Sequence, residues 1–195
     1  RDMYHLEKAG YTFEGVTEFL SPLKTAFQGI VTKLPILEVR RSQHPPPGRR
    51  GLLGWLLGWK ELEHTISAVV DVHGTAVNFI TIHNSFAVSV HRRRMETIRA
   101  LRGHMRPNIP NIVMGDFNGY AGSKAAYLTW WLTGIRFREV RLNENVAFKR
   151  MARMRGLKPV VENVVTYPFS LTQLDHIFIP EHMDFKDVYV LKKQF

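Results

Sequence analysis

Residues 112–118 read Ile-Val-Met-Gly-Asp-Phe-Asn and place two polar side chains directly after an apolar run. The run stops at Gly115, and a carboxylate at Asp116 and a carboxamide at Asn118 follow it. This pattern predicts a buried strand that ends at the edge of a sheet, where side chains two positions apart project to the same side. The pair suits phosphoryl chemistry, because the carboxylate can accept a proton from water or help hold a hard cation, while the amide can donate to a phosphate oxygen. An Asx turn that caps the next helix is the structural alternative.

Two further segments carry polar residues at strand ends. Asp175 and His176 precede the alternating run 177–179, and the apolar strand 77–83 ends with His83. Taken singly, a histidine after a strand is more often a surface or satisfied residue, and an aspartate before one is more often a turn former. Together with the Asp-Phe-Asn segment, they predict a polar group presented by a rigid sheet.

Five segments follow one another in an order that resembles the endonuclease/exonuclease/phosphatase superfamily, which includes deoxyribonuclease I and exonuclease III. Residues 28–36 resemble the family's G-x-A-I-L-S-R-x-P-I strand, and residues 79–83 resemble its strand ending in N-T-H, although Thr81 stands where asparagine is common. A helix with an arginine-rich start at Arg92–Arg94 comes next. The Gly-Asp-Phe-Asn loop is the family's signature, and residues 173–180 resemble its R-I-D-Y-I-F-V-S strand.

The resemblance implies an αββα sandwich and a cofactor, Mg²⁺ or Mn²⁺, that polarises the scissile phosphate for in-line attack by water. Asp116 would orient or deprotonate that water and contribute to the metal site, and Asn118 would hold the water or a phosphate oxygen. His83 would stabilise negative charge on the phosphate. Asp175 would orient a histidine of the family's closing motif, and His176 is a further candidate site residue. Arg92, Arg93 and Arg94 are candidates for substrate binding.

The same resemblance predicts that residues 1–195 are an internal piece of a single domain, truncated at both ends. The family's metal-binding glutamate, in an L-Q-E motif, is expected before the segment 6–11, and its closing S-D-H motif is expected after Phe195. The flanks of Asp175 and His176 match the earlier strand and not that closing motif. We therefore expect the chain alone to be a weak or inactive hydrolase.

Composition points to a polyanionic partner. The chain has 27 Lys and Arg residues against 17 Asp and Glu residues, a net charge of +10 and a pI near 10.1. Nucleic acid is the favoured partner and an anionic membrane surface the second, although each basic cluster could equally be a solvated helix face. The absence of cysteine excludes a disulfide framework and is compatible with a reducing compartment, of which the cytoplasm is favoured. Nothing indicates an obligate protein partner.

Hydrophobic periodicity predicts an α/β fold with two stacked sheets covered by helices. Strands are predicted at 29–32, 65–72, 75–83, 112–115, 173–179 and 187–191, and helices at 90–106, 124–133 and 144–155. In the first helix, Met95, Ile98, Leu101 and Met105 recur at helical spacing and are predicted to face the core. In the second, Ser123 is the candidate N-cap, Gly134 follows the last turn, and the predicted core residues are Leu128, Trp131 and Leu132.

Residues 44–59 fit neither element pattern. Prolines 45–47 and four glycines oppose regular structure, yet the leucines and the tryptophans Trp55 and Trp59 are too apolar for an ordinary loop. The segment is too short to span a bilayer. It predicts either a loop that folds back on the core or a loop that touches membrane or substrate. Three functions therefore stay open: a metal-dependent nuclease-type phosphodiesterase, which is favoured, a lipid or inositol-phosphate phosphodiesterase, and a non-catalytic binding remnant.

Overall fold

A computed structural model describes residues 2–21, 24–43, 64–84, 91–119, 126–128, 130, 137–162, 164–166 and 173–188. In chain order, the strands are β1 (Thr12–Ser21), β2 (Lys24–Thr32), β3 (Ile36–Gln43), β4 (His64–Val72), β5 (Thr75–His83), β6 (Asn111–Asp116), β7 (Leu157–Pro159) and β8 (Asp175–Pro180). The helices are α1 (Asp2–Lys8), α2 (His91–Ala100) and α3 (Glu144–Arg153), with 3₁₀ turns at Leu101–Gly103 and Phe137–Glu139.

Six of the described strands form one mixed sheet in the order β3-β4-β5-β6-β8-β7. β5 and β6 are parallel and the other neighbouring strands are antiparallel. β5 is followed by α2 before the chain returns to β6, which is the crossover that a parallel pair requires. The ends of β5 and β6 therefore point the same way, and the start of β8 meets them.

The hairpin of β4 and β5 is the part of the sheet that periodicity predicted most closely. The predicted bounds 75–83 of β5 are confirmed, and β4 begins one residue before the predicted 65. His73 and Gly74 form the predicted turn with φ of 52° and 86°, which are the positive values that a two-residue hairpin turn uses. The Gly74 amide donates to Asp71 Oδ1 at 2.6 Å and closes the turn.

Helices α2 and α3 cover one face of the six-stranded sheet, which we call the helix face. From α2 and the following turn, Met95, Ile98 and Leu101 are buried as predicted, and Met105 packs against the same core cluster. α3 contributes Phe148 and Ala152. The sheet residues of this cluster are Ile80, Ile82, Val113, Leu157 and Phe178.

The second sheet is the antiparallel pair β1–β2, which packs against β4 and β5. Ile66, Ala68 and Val70 are fully buried on β4 and alternate with the residues of the helix face, so they form the layer between the two sheets. The predicted α/β architecture with two stacked sheets and helices is confirmed.

Several sequence predictions differ from the structure or lie outside it. Leu128 was predicted to pack inward but is 78% exposed, on a helical segment of which only residues 126–128 and 130 are described. Residues 187 and 188 are not in a strand, and β1, β3 and β7 were not predicted. The apolar segment 44–59, Ser123, Trp131, Leu132 and Gly134 lie outside the described residues. Among the helices that are described, none is long and apolar enough to cross a membrane.

Candidate active site

Three neighbouring strands bring His83, Asp116 and Asp175 into one row. In the parallel pairing of β5 and β6, His83 lies opposite Asp116, and in the antiparallel pairing of β6 and β8, Asp116 lies opposite Asp175. Residues that are directly paired in this way project to the same face of a sheet. Neighbouring strands are about 4.8 Å apart, so the row spans about 10 Å between its outer Cα atoms. Three of the predicted site residues thus share one sheet end and one face.

Gly115 allows the close approach of β5 and β6 that aligns this row. Its φ of 139° is a conformation that residues with a side chain rarely adopt. A Cβ at this position would overlap the carbonyl oxygen of Ile82. The glycine of the signature loop is therefore required by packing directly beside Asp116.

The Asx turn of the structural alternative is present in the loop after β6, but residues 117–119, which follow Asp116, are not helical. The Asn118 backbone amide donates to Asp116 Oδ1 at 2.8 Å, and Asn118 has a φ of 48°, which asparagine tolerates. This bond uses one of the two oxygens of the Asp116 carboxylate, and the side chain is half-buried. The turn fixes the loop and is compatible with a chemical role for Asp116.

The Asn118 side chain is almost completely buried, with 1% of its surface exposed. Its amide nitrogen donates to the Asn84 carbonyl at 2.6 Å, which assigns the orientation of the amide. Its Oδ1 has no hydrogen-bond partner among the described residues. A buried, unpartnered oxygen costs free energy, so Oδ1 can accept a hydrogen bond from a water or another bound molecule.

Asn84 is a site residue that sequence reasoning missed. It is fully buried, its backbone amide donates to the Asp116 carbonyl at 2.8 Å, and its side-chain amide donates to the Phe117 carbonyl at 3.2 Å. With the bond from Asn118, these contacts join the end of β5 to the loop after β6. The available signal was a second polar residue directly after His83 at the end of an apolar strand.

Asp175 is held by its backbone and exposes its side chain. The amides of Leu174 and Asp175 both donate to Thr166 Oγ1, at 2.9 and 3.1 Å, and the Leu174 carbonyl accepts from the Phe117 amide at 2.9 Å. These bonds fix the start of β8 against the loop after β6. The carboxylate of Asp175 is thereby presented at the end of the row.

His176 lies on the other face of the sheet and does not join the row. It pairs with Gly115, is 2% exposed and stacks on Phe178 with ring centroids 5.6 Å apart. Burial, and then the positive charge of Lys149, lower the pKa of His176 to about 4. Strand alternation explains the separation, because residues next to one another in a strand project to opposite faces. The structure thus does not bring His176 together with His83, Asp116 and Asp175.

The candidate arginines Arg92, Arg93 and Arg94 belong to α2. Their side chains lie outside the described part of the structure. Their role in substrate binding stays a prediction.

The oxygen donors of the site fit a hard cation better than a soft one. Within the described part of the chain, no group of three or more His, Cys, Asp and Glu residues could hold a metal ion. Mg²⁺, however, is commonly bound by one or two carboxylates, with water and substrate phosphate as the remaining ligands. The carboxylate of Asp116, the exposed carboxylate of Asp175 and the unpartnered oxygen of Asn118 match that donor chemistry.

This chain is similar to known proteins in its structure but matches none of the compared sequences. No protein-family model matches the sequence, and no curated protein matches it. An endonuclease/exonuclease/phosphatase from Beutenbergia cavernae has a TM-score of 0.58 at 17% identity, over 90% of this chain and 48% of its own length. A family protein from Leptotrichia buccalis has a TM-score of 0.53 at 15% identity, over 91% of this chain and 65% of its own. A Bacteroides thetaiotaomicron mannosyl-6-phosphatase has a TM-score of 0.52 at 13% identity, over 92% of this chain and 68% of its own.

The chain thus spans about half to two thirds of the length of these structures. At identities of 13–17% the likeness is one of fold. The resemblance read from the ordered motifs is confirmed at that level: this chain has the fold of the endonuclease/exonuclease/phosphatase family.

Proposed function

We propose that this chain forms a metal-dependent phosphodiesterase domain whose favoured substrate is nucleic acid. The proposal rests on the row of His83, Asp116 and Asp175 across three paired strands. A row of carboxylates and imidazole beside a buried amide oxygen supplies groups that can move protons and stabilise charge during attack on a phosphate ester. The fold shared with a mannosyl-6-phosphatase and with an endonuclease/exonuclease/phosphatase family protein supports this reaction class, and the site residues carry the argument.

Asp116 would orient or deprotonate the attacking water. Its Oδ1 already accepts the Asn118 backbone amide, which restricts the rotation of the carboxylate. Asn118 would act through its Oδ1, because its amide nitrogen donates to the Asn84 carbonyl. An oxygen accepts hydrogen bonds, so Asn118 is suited to hold the attacking water and less suited to bind a phosphate oxygen.

His83 and Asp175 would act on either side of Asp116. A protonated or hydrogen-bonded imidazole at His83 would stabilise negative charge on the phosphate. Asp175 would orient the histidine of the family's closing motif, since a carboxylate that accepts from one ring nitrogen fixes the tautomer of an imidazole. Its exposed position at the end of the row is consistent with that role.

We further propose that the activity requires Mg²⁺ or Mn²⁺. Asp116 would provide a carboxylate ligand, and the bound ion would polarise the scissile phosphate. The protein's own contribution is to present carboxylate and amide oxygens at one sheet end, on a loop that hydrogen bonds hold in place.

The net charge of +10 supports a polyanionic substrate, although some basic residues already have acidic partners. Arg40 pairs with Glu38 at 3.0 Å, and Arg106 pairs with the same carboxylate. Both arginines lower the pKa of Glu38, and Arg106 has the larger effect. Arg41 pairs with Glu14. These pairs reduce the local excess of positive charge on β3. Arg92, Arg93 and Arg94 stay the proposed contacts with phosphate.

Hydrolysis of bis(4-nitrophenyl) phosphate by the 195-residue chain, with MgCl₂, MnCl₂ or EDTA, tests the proposal. We expect a slow rate that requires the metal and is abolished by the chelator. Cleavage of plasmid DNA under the same conditions tests the substrate class. Because one structural neighbour is a mannosyl-6-phosphatase, 4-nitrophenyl phosphate provides the monoester comparison. Metal-independent cleavage would contradict the proposed metal dependence. No cleavage of any ester would favour the non-catalytic binding remnant over the proposed activity of this chain.

A further inference from the structure

A buried polar pair lies on the helix face, directly behind the signature loop. His176 Nε2 of β8 is 3.2 Å from Asn145 Oδ1 of α3. His176 is 2% exposed, and Asn145 is half-buried. The pair therefore connects the strand that carries Asp175 to the helix that covers the loop.

The loop rests on this pair through Gly119 and Phe117. A Cβ at position 119 would overlap Asn145 Oδ1 and would lie 3.0 Å from Phe148 Cε2. The backbone of Gly119 is therefore in direct contact with the Asn145 side chain. Phe117, between Asp116 and Asn118, is 2% exposed and meets the His176 ring edge-on, with centroids 5.3 Å apart.

The geometry of the pair sets the direction of its hydrogen bond. An amide oxygen can only accept, so His176 Nε2 donates and Asn145 Oδ1 accepts. The bond gives the buried imidazole a partner on α3. Loss of the acceptor at Asn145 would leave the buried N–H of His176 unsatisfied, which destabilises the local structure.

We propose that His176 and Asn145 are positioning residues that hold the segment 117–119 in place, and with it Asp116 and Asn118. The His176 side chain lies on the face of the sheet opposite to the row. Both positioning residues act through Gly119 and Phe117, whose neighbours in sequence carry the proposed chemistry. The catalytic consequence rests on the proposed function, whereas the structural consequence does not.

Three substitutions separate the hydrogen bond from packing. His176→Phe keeps an aromatic ring among Phe117, Phe148 and Phe178 but removes the N–H, and Asn145→Leu keeps a side chain of similar size but removes the acceptor. His176→Gln retains a donor and is the conservative variant. Val146→Ala, at a 59% exposed position next to Asn145 on α3, is the matched control.

Hydrogen exchange of backbone amides, measured by NMR, tests the positioning role without any need for activity. The informative amides are those of Asn84 and Asn118, which donate to Asp116, and of Phe117, which donates to Leu174. Loss of one buried hydrogen bond corresponds to roughly a 10-fold faster exchange of amides in the segment it holds. We expect this increase in His176→Phe and Asn145→Leu, much less in His176→Gln, and none in Val146→Ala.

The amides of the β3–β4 pairing are the internal reference, since β5 and β6 separate these two strands from β8 in the sheet. Exchange that rises equally in β3–β4 and in the loop would indicate a merely structural role and would overturn the proposal, as would unchanged exchange in both loss variants. Where the parent hydrolyses bis(4-nitrophenyl) phosphate, the loss variants should lower kcat with little change in KM. If the parent is inactive but the local exchange effect is present, the positioning role stands and the proposed function fails.

Discussion

Gly115 is the residue at which backbone conformation and site geometry depend on each other most closely. It combines a φ of 139° with a position at which any Cβ would overlap the Ile82 carbonyl. Gly115 precedes Asp116 on β6 and pairs with Ile82, which precedes His83 on β5. Both features therefore act where the two strands must pair in register. A side chain at this position would therefore change the alignment of the row.

We predict that Gly115→Ala is strongly destabilising or displaces the loop, because the new methyl group meets backbone that cannot rotate away. A strained backbone conformation alone costs roughly 1–3 kcal/mol, and the overlap adds to it. Urea denaturation measures the loss. Gly74→Ala is the control, since that glycine also has a positive φ but its Cβ would meet no atom within 4 Å. Equal losses in the two variants would show that packing against Ile82 contributes nothing.

His176 makes the folding stability depend on pH in a direction that its pKa determines. The pKa is about 4 in the folded protein and 6.5 in an exposed histidine, so between these values the unfolded chain binds a proton that the folded chain does not. Stability is then greatest above pH 6.5 and falls as the pH drops toward 4. Each pH unit corresponds to about 1.4 kcal/mol, so the total is about 3 kcal/mol.

Chemical denaturation at pH 7 and at pH 4.5 measures this dependence in the parent and in His176→Phe. We predict that the variant loses less stability than the parent between these two pH values. Other groups also titrate in this range, and the difference between the two proteins isolates His176. Lys149, which contributes to the lowered pKa, is unchanged in both. Identical pH profiles would contradict the assignment of a neutral, buried imidazole.

At the scale of elements, α3 depends on a defined N-terminus. The side chain of Asn143 accepts from the Val146 amide at 3.1 Å and caps the helix that carries Asn145 and Phe148. We predict that Asn143→Ala lowers the free energy of unfolding by about 1 kcal/mol, because the first turn loses its side-chain acceptor. Thermal denaturation measures the change, and Asn143→Ser, which retains an acceptor, is the control. A loss as large in Asn143→Ser would point to a contact other than the cap.

Local periodicity was sufficient to predict the elements whose two faces differ strongly. β4, β5 and the inward residues of α2 were predicted well, because alternation and helical spacing report which side chains face the core. β3 was missed because it is an edge strand with mainly exposed side chains, whose sequence resembles a loop. The exposure of Leu128 was missed because apolar spacing does not show whether a partner surface exists.

The register of the site could not be read from the sequence. The alignment of His83, Asp116 and Asp175 depends on pairing between strands that are far apart in the chain. A shift of one residue in β8 would exchange Asp175 with His176 between the two faces. The resemblance to the family supplied the motif order, whereas the pairing identified which of the two neighbouring residues joins the row.

The whole molecule has an excess of positive charge, and its distribution leads to a prediction about binding. If the surplus binds nucleic acid, affinity should fall with salt through release of counterions, with a slope set by the number of neutralised phosphates. We predict that replacing Arg92, Arg93 and Arg94 together by alanine flattens the slope of log affinity against log salt by up to ~3. Fluorescence anisotropy with a labelled oligonucleotide measures it.

The matched control replaces Arg40 and Arg41, which already pair with Glu38 and Glu14. Per arginine removed, this control should flatten the slope of log affinity against log salt by less than the Arg92–Arg94 variant does. The reason is that Glu38 and Glu14 already neutralise part of the charge of Arg40 and Arg41. A slope that is unchanged in the Arg92–Arg94 variant would make that cluster a solvated helix face. It would also favour a lipid or inositol-phosphate substrate over nucleic acid.

The central claim is that Asp116, in the row with His83 and Asp175, performs phosphate-ester chemistry. The most direct measurement is the hydrolysis of bis(4-nitrophenyl) phosphate by the parent, by Asp116→Asn and by His73→Asn, with circular dichroism to verify the fold. His73 is exposed in the hairpin turn with a φ of 52°, which asparagine accommodates, so it is a neutral control. We predict that Asp116→Asn lowers the rate by at least ~100-fold while His73→Asn leaves it unchanged. A folded Asp116→Asn variant that retains the parent rate would contradict the account.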